Sequence, residues 1–141
     1  MTQIKGLAEA AFYVADLAEA TAFYGDVLGL AITAVFEDAV FLQTGPQATL
    51  ILFDINKLEK RVSTIPGHGA RGPGHIALAI PAQEMEAWRQ RLLAHGVAIE
   101  HEQDWPLGTH SIYFRDPANN SVELIDEMHY PMIWERLGKE Q

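Results

Sequence analysis

The chain has no cysteine among its 141 residues, which excludes disulfides, thiolate metal ligands and a cysteine nucleophile and fits a reducing compartment. Positive charge is scarce, with 10 Lys and Arg against 19 Asp and Glu and a net charge of −9. That balance argues against a nucleic-acid or anionic-membrane partner. No apolar run approaches the roughly 20 residues that a membrane-spanning helix needs. The opening residues Met1-Thr2-Gln3-Ile4-Lys5 lack the apolar core of a signal peptide. A cytoplasmic location is the expectation. What is present is ordinary globular composition, 48% hydrophobic and 21% charged, in a length that suits one domain or two fused half-domains.

Two stretches are weak copies of each other. Glu9-Ala10-Ala11-Phe12-Tyr13-Val14 and His75-Ile76-Ala77-Leu78-Ala79-Ile80 each read as a short strand running into a helix. In the first module Asp16 is an N-cap with Glu19 three residues on. Leu17, Ala20, Tyr24, Val27 and Leu28 form a helical apolar face, and Gly29 stops it. Strands are predicted at Ala31–Phe36, Ala39–Leu42 and Ala48–Phe53, which makes a βαβββ unit. Residues 56–74 hold Pro66, Gly67, Gly69, Gly72, Pro73 and Gly74, the chemistry of a linker. The second module repeats the order: a strand at Gly74–Ile80, Pro81 at the helix start, Met85, Trp88 and Leu92 on one helix face, Gly96 closing it. Its remaining strands are predicted at Val97–Glu102, Ser111–Arg115 and Ser121–Ile125, with about five extra residues placed in the loop Gln103–His110. The expected boundaries are about 7–54 for module one, 55–73 for the linker, 74–126 for module two and 127–141 for the tail.

Charges inside strands are costly to bury without partners. Period-two alternation sets Glu9, Ala11 and Tyr13 on one strand face and His75, Ala77 and Ala79 on the matching face. Glu123 lies in the strand Ser121–Ile125, and the turn Asp116–Asn120 pairs Arg115 with Ser121 and Tyr113 with Glu123. Across the repeat, four positions correspond: Glu9 with His75, and Glu123 with Ile51. An isoleucine binds no metal, so three ligands and open coordination positions remain, as in catalytic rather than structural sites. Two carboxylates and a neutral imidazole balance one divalent ion, with Mn, Fe, Co, Ni or Zn favoured over copper. Taken singly, each residue is more often exposed or paired structurally; their matching places in a repeat carry the metal reading.

These residues resemble the vicinal oxygen chelate superfamily, which includes glyoxalase I, fosfomycin-resistance proteins, bleomycin-binding proteins and extradiol dioxygenases. The resemblance runs from about Leu7 to Asp126. It is carried by Glu9 to Leu17, Phe23-Tyr24 with Leu28-Gly29-Leu30, Gly74-His75-Ile76-Ala77, and Ser111 to Pro117 leading to Val122-Glu123-Leu124. It implies an α+β fold over 1–141 as a single glyoxalase-like domain, two βαβββ modules forming a cupped, partly closed mixed sheet with helices outside. It implies metal ligands at Glu9, His75 and Glu123. Many relatives carry His where Glu9 stands, and Ile51 falls where glyoxalase I has a fourth, carboxylate ligand. Ser111-Ile112-Tyr113 is similar to the phosphonate-contacting run of fosfomycin-resistance proteins. Ala11 in place of a threonine, and the absence of basic residues in 103–110, argue against fosfomycin.

Other assignments follow from position. Tyr113 and His110 are candidate proton donors or catalytic groups; Ser111, Tyr113, Tyr13 and Trp105 are candidate substrate contacts. His68 sits in the Gly-rich link without an assigned role. The apolar tail from Tyr130 to Trp134 is expected to cover the sheet or a contact between subunits. The expected function is a divalent-metal-dependent enzyme acting on a small oxygenated molecule, by lyase, transferase or ring-cleaving chemistry. Its rival is a metal-free protein that sequesters a drug or metabolite, as bleomycin-binding relatives do. A homodimer is expected because open sheet edges need covering.

Overall fold

In the computed structural model, residues 2–130 and 132–139 are described. The chain divides into two compact units, Met1–Pro73 and Gly74–Gln141. Unit 1 contains β1 (Glu9–Val14), α1 (Leu17–Ala22) continued by a π-turn (Phe23–Val27), β2 (Ala31–Val35), β3 (Ala39–Gly45), β4 (Ala48–Asp54) and a short α2 (Ile55–Leu58). Unit 2 contains β5 (His75–Ile80), a 3-10 turn (Ala82–Glu84) leading into α3 (Met85–Ala94), β6 (His101–Asp104), β7 (His110–Arg115), β8 (Ser121–Asp126) and α4 (Met132–Lys139). The sheet orders are β1-β4-β3-β2 and β5-β8-β7-β6. In both, the first strand runs parallel to the last and the others pair antiparallel. The fold is α+β, built from two four-stranded mixed sheets with helices.

Local chemistry accounts for the first helix. Asp16 Oδ1 accepts a hydrogen bond from Glu19 N at 2.9 Å, satisfying one of the free amides of the first turn. Gly29, at φ 72°, takes the left-handed conformation that ends it. α1 packs on β3 and β4. Leu42, Leu50 and Leu52, which are completely buried, share one sheet face with Val40. In unit 2 the buried Ile112, Phe114, Val122 and Leu124 alternate with Ser111, Tyr113, Ser121 and Glu123 along β7 and β8. One face of that sheet is therefore core, and the other carries polar side chains.

The register makes the repeat concrete. Ala11 pairs with Ile51, and Ala77 pairs with Glu123. The offset is 66 positions from Glu9 to His75 and 72 from Ile51 to Glu123. Three features differ from the sequence expectation. The linker begins with α2, capped by Asp54 Oδ1, which accepts from Asn56 N and Lys57 N. β3 extends to Gly45. β6 covers His101–Asp104 rather than Val97–Glu102, because Val97 N bonds back to Leu92 O and closes α3, so pairing with β7 starts only where Glu100 N reaches Tyr113 O. Of the apolar tail, Pro131 and the side chain of Ile133 lie outside the described residues. Among the described residues no helix is long and apolar enough to cross a membrane.

The β7–β8 turn ties β5 in place. Asp116 Oδ1 accepts from Ala118 N and Asn120 N, and Asp116 Oδ2 accepts from Asn120 Nδ2. Asn120 Oδ1 accepts from Gly74 N at 2.7 Å, and Ser121 N donates to Gly74 O. Asn119 takes φ 67°, a conformation Asn tolerates better than most residues. Asn120 is buried, so its removal strands donors at the entrance to β5. Asn120→Ala is expected to lower stability by about 1–3 kcal/mol in urea denaturation; a loss of only a few tenths would remove the turn from this role.

Candidate functional site

Four strands of unit 2 fix one polar face. β5 contributes His75, Ala77 and Ala79; β8 contributes Ser121, Glu123 and Ile125; β7 contributes Ser111, Tyr113 and Arg115; β6 contributes His101 and Gln103. Glu123 is only 4% exposed, and a carboxylate so placed needs partners. Its Oε1 accepts from Ser111 Oγ at 2.6 Å and from Tyr113 OH at 2.9 Å. Ser111 Oγ itself accepts from Trp105 Nε1 at 2.9 Å. Glu123 Oε2 faces His75 Nε2 at 3.2 Å.

The imidazole is held from its other side. His75 Nδ1 lies 3.2 Å from Ser121 O and 3.1 Å from Ser121 Oγ. Ser121 O only accepts, whereas Ser121 Oγ can donate or accept, so two arrangements satisfy the ring. In the first, Nδ1–H donates to Ser121 and the Nε2 lone pair points toward Glu123 Oε2; in the second, Ser121 Oγ donates to Nδ1 and Nε2–H donates to Glu123 Oε2. In the first arrangement two acceptors face each other and repel unless a cation stands with them. A proton on Nε2 or a cation bound by both atoms meets the need. The donor set, one imidazole and one carboxylate each backed by a second hydrogen-bond partner, fits a divalent ion. Among the described residues no group of three or more His, Asp and Glu side chains is gathered as a cation site. Unit 2 brings together two of the three expected ligands.

Tyr113 is paired by register with Glu123, as expected from the turn. Burial and the hydrogen bond to the Glu123 carboxylate push its phenol up to about 12. At neutral pH Tyr113 is thus a protonated donor rather than a base. Its ring stacks on His75 with centroids 6.2 Å apart and is flanked by His101 at 5.9 Å. Ser111, Tyr113, Trp105, His75 and Glu123 form one connected set.

His110 lies elsewhere. Alternation along β7 sends it to the face opposite Ser111 and Tyr113, where His110 Nδ1 meets Asp104 Oδ1 at 2.7 Å and Nε2 meets Glu102 Oε1 at 2.8 Å. Arg89 of α3 donates to Glu102 Oε1 and stands 3.1 Å from His110 Nε2. His110 therefore touches none of the ligand-face residues and closes the base of the loop 105–109.

In unit 1, Glu9 opens β1 opposite Thr49 and is exposed. Tyr13 OH is 2.8 Å from His68 Nδ1, and its ring stacks on Phe53. His68 also meets Phe53 edge-on at 5.0 Å. The positions equivalent to Ser111, Tyr113 and Glu123 are Ala39, Phe41 and Ile51. They belong to an apolar cluster with Phe53, Leu58, Ala11 and Tyr13. Two contributors escaped the sequence reading. Ser121, the holder of His75, sits two residues before Glu123 and so on its face, but only the parallel register places it opposite His75. His68 carried no signal beyond its Gly-rich setting.

The sequence model of the Glyoxalase/Bleomycin resistance protein/Dioxygenase superfamily matches residues 6–124, and the chain belongs to that superfamily. Among solved structures it is similar to a lactoylglutathione lyase from Agrobacterium tumefaciens, with 35% identity, 92% of this chain and 99% of that one covered, and a TM-score of 0.84. It shares its fold with the fosfomycin resistance protein FosX from Listeria monocytogenes, at 24% identity, 89% and 96% coverage and a TM-score of 0.68. It shares the fold also with a glyoxalase/bleomycin resistance protein/dioxygenase from Nocardioides, at 20% identity, 93% and 90% coverage and a TM-score of 0.71. Among curated proteins none matches the chain.

The His110 cluster yields a pH test. Burial lowers the imidazole's affinity for a proton, but the hydrogen bonds and charges of Glu102 and Asp104 outweigh it, and the pKa is raised above 6.5. A folded-state pKa above the unfolded one adds stability that is complete below 6.5 and disappears as pH climbs through the folded value. His110→Ala should therefore cost more stability near pH 5.5, roughly one unit below the reference value, than near pH 9. Equal losses at both pH values would contradict the assignment.

Proposed function

We propose that the protein is a divalent-metal-dependent enzyme acting on a small oxygenated organic molecule. The observation that carries this reading is the pair His75 Nε2 and Glu123 Oε2, 3.2 Å apart, each presented by a neighbour that occupies its other polar atom. His75 and Glu123 would hold the ion, with Glu9 as third ligand. Support for Glu9 comes from the repeat: Glu9 and His75 each open a six-residue strand that pairs in parallel with the last strand of its module. Ile51, in the place equivalent to Glu123, ends the ligand set at three and leaves coordination positions for substrate.

A divalent ion held by His75, Glu123 and Glu9 would supply Lewis-acid stabilisation of negative charge on a substrate oxygen. The chain's own residues prepare for that. Ser111 and Tyr113 hold Glu123 Oε1, so Oε2 is the oxygen offered to the ion. Ser121 holds His75 Nδ1 through its carbonyl and hydroxyl and so orients the ring. Tyr113 stays protonated, its phenol pushed up to about 12, and donates that proton to Glu123 Oε1, so donating it to a substrate oxygen would require leaving the carboxylate. Ala77 and Ala79 leave space on β5. Lyase, transferase and ring-cleaving dioxygenase chemistry share these requirements. The likeness to a structure named lactoylglutathione lyase favours a lyase, while Ile51 departs from the four-ligand glyoxalase I pattern. His110, on the other sheet face, has no part in this reading.

We read the protein further as a cytoplasmic homodimer. Support for self-association is the edge strand β2, which leaves Ile32 and Val35 exposed, with Phe36 just beyond it.

Chelator-treated protein titrated with Mn²⁺, Fe²⁺, Co²⁺, Ni²⁺ and Zn²⁺ should take up one equivalent of at least one ion. Glu123→Gln, His75→Ala and Glu9→Gln should each weaken uptake on the order of 100-fold or more, and Ser121→Ala by roughly 10-fold. Full affinity in Glu9→Gln alone would remove Glu9 from the ligand set. Absence of uptake by the wild type would end the enzyme reading in favour of a sequestering protein.

A further inference from the structure

We propose that the C-terminal helix α4 is a latch on the Glu123 site, with Trp105 and Trp134 as positioning residues. The inference rests on the reading of Glu123 as the functional carboxylate. Trp134 of α4 meets Trp105 edge-to-face with ring centroids 4.8 Å apart, and Tyr130 meets Trp134 at 6.4 Å. α4 packs against the turn Pro106–Gly108 that follows Trp105. The indole N–H of Trp105 donates to Ser111 Oγ at 2.9 Å, and Ser111 Oγ donates to Glu123 Oε1 at 2.6 Å. A continuous chain therefore runs from the helix to the carboxylate.

Each link constrains the next. A serine hydroxyl has one proton and two lone pairs and turns freely. With Trp105 N–H on its acceptor side, its proton is directed at Glu123. That contact, with Tyr113, sets which carboxylate oxygen faces His75. The Trp105 loop does not hold its own shape at ease: Leu107 has φ 66° and ψ 17°, left-handed for a residue with a Cβ. Such backbone persists only where surrounding contacts over-determine it. Those contacts are the Asp104–His110 pair at the loop base, the bond from Trp105 N to Thr109 O, and α4. Trp134 is 40% exposed, so its contact with Trp105 lies at the surface rather than in a buried core.

The test uses full-length, metal-free protein with 15N-labelled indoles and 13C-labelled glutamate carboxyls. Trp134→Ala should speed solvent exchange of the Trp105 indole proton about tenfold and move the Glu123 carboxyl resonance. Trp105→Phe, which keeps an aromatic ring but no donor, should move the same Glu123 resonance, and Trp134→Phe should restore both signals toward wild type. In Mn²⁺ titrations Trp134→Ala and Trp105→Phe should bind about tenfold more weakly than wild type, the usual scale for outer contacts, while Trp88→Phe on α3 should not. An unchanged Trp105 exchange rate in Trp134→Ala, or an unmoved Glu123 resonance in Trp105→Phe, would overturn the latch. Should wild type bind no Mn²⁺, Fe²⁺, Co²⁺, Ni²⁺ or Zn²⁺, the metal reading fails, and the two resonances still decide the latch.

Discussion

A buried carboxylate with one oxygen held by two hydroxyls and the other facing an imidazole is the constraint around which unit 2 is arranged. Glu123 sits in the middle of β8 between fully buried Val122 and Leu124, where an unpartnered charge is untenable. Ser111 and Tyr113 answer for Oε1 alone. They reach it because β7 pairs with β8 in a register that the Asp116–Asn120 turn holds. Oε2 is left to His75, which stands on β5 because the same turn binds Gly74. A one-residue slip in either pairing would send these side chains to the opposite sheet face. The chemistry of the face and the strand register are thus a single requirement.

The two modules show how one backbone frame serves two purposes. At equivalent places, Ser111, Tyr113 and Glu123 in the second are Ala39, Phe41 and Ile51 in the first. Glu123 depends on the other two: without Ser111 and Tyr113 its Oε1 would be a buried charge with no donor. The apolar trio in unit 1 and the polar trio in unit 2 are each self-consistent.

Much of this was legible in the sequence because it follows from short-range rules. Asp16 and Gly29 mark the first helix, and the turn Asp116–Asn120 marks the Tyr113–Glu123 pairing. Alternation then groups Ser111, Tyr113 and Glu123. What was not legible depends on where chains leave an element. The apolar run Val97–Ile99 has the look of a strand, yet its backbone is still closing α3. His110 has the spacing of a residue on the face opposite Ser111, but its place beside an inserted loop drew it toward the site. The loop itself carries a left-handed Leu107, and leucine announces no such turn. Glu9 remains where the repeat puts it, as a proposed ligand supported by position.

The two faces of β7 divide their work within one strand. His110, on one face, joins Glu102, Asp104 and Arg89 in a charged cluster that ties β6, β7 and α3 together. Ser111, the next residue, opens the other face and receives Trp105 from the top of the same loop. The cluster is partly exposed, and ion pairs of that kind contribute modestly to stability. Its structural consequence is larger than its energy, because Asp104 and His110 are the two ends of the five-residue connection that carries Trp105. Holding the ends together limits how far the indole can move from Ser111. The cluster therefore bears on Glu123 without touching it, through loop geometry rather than through charge.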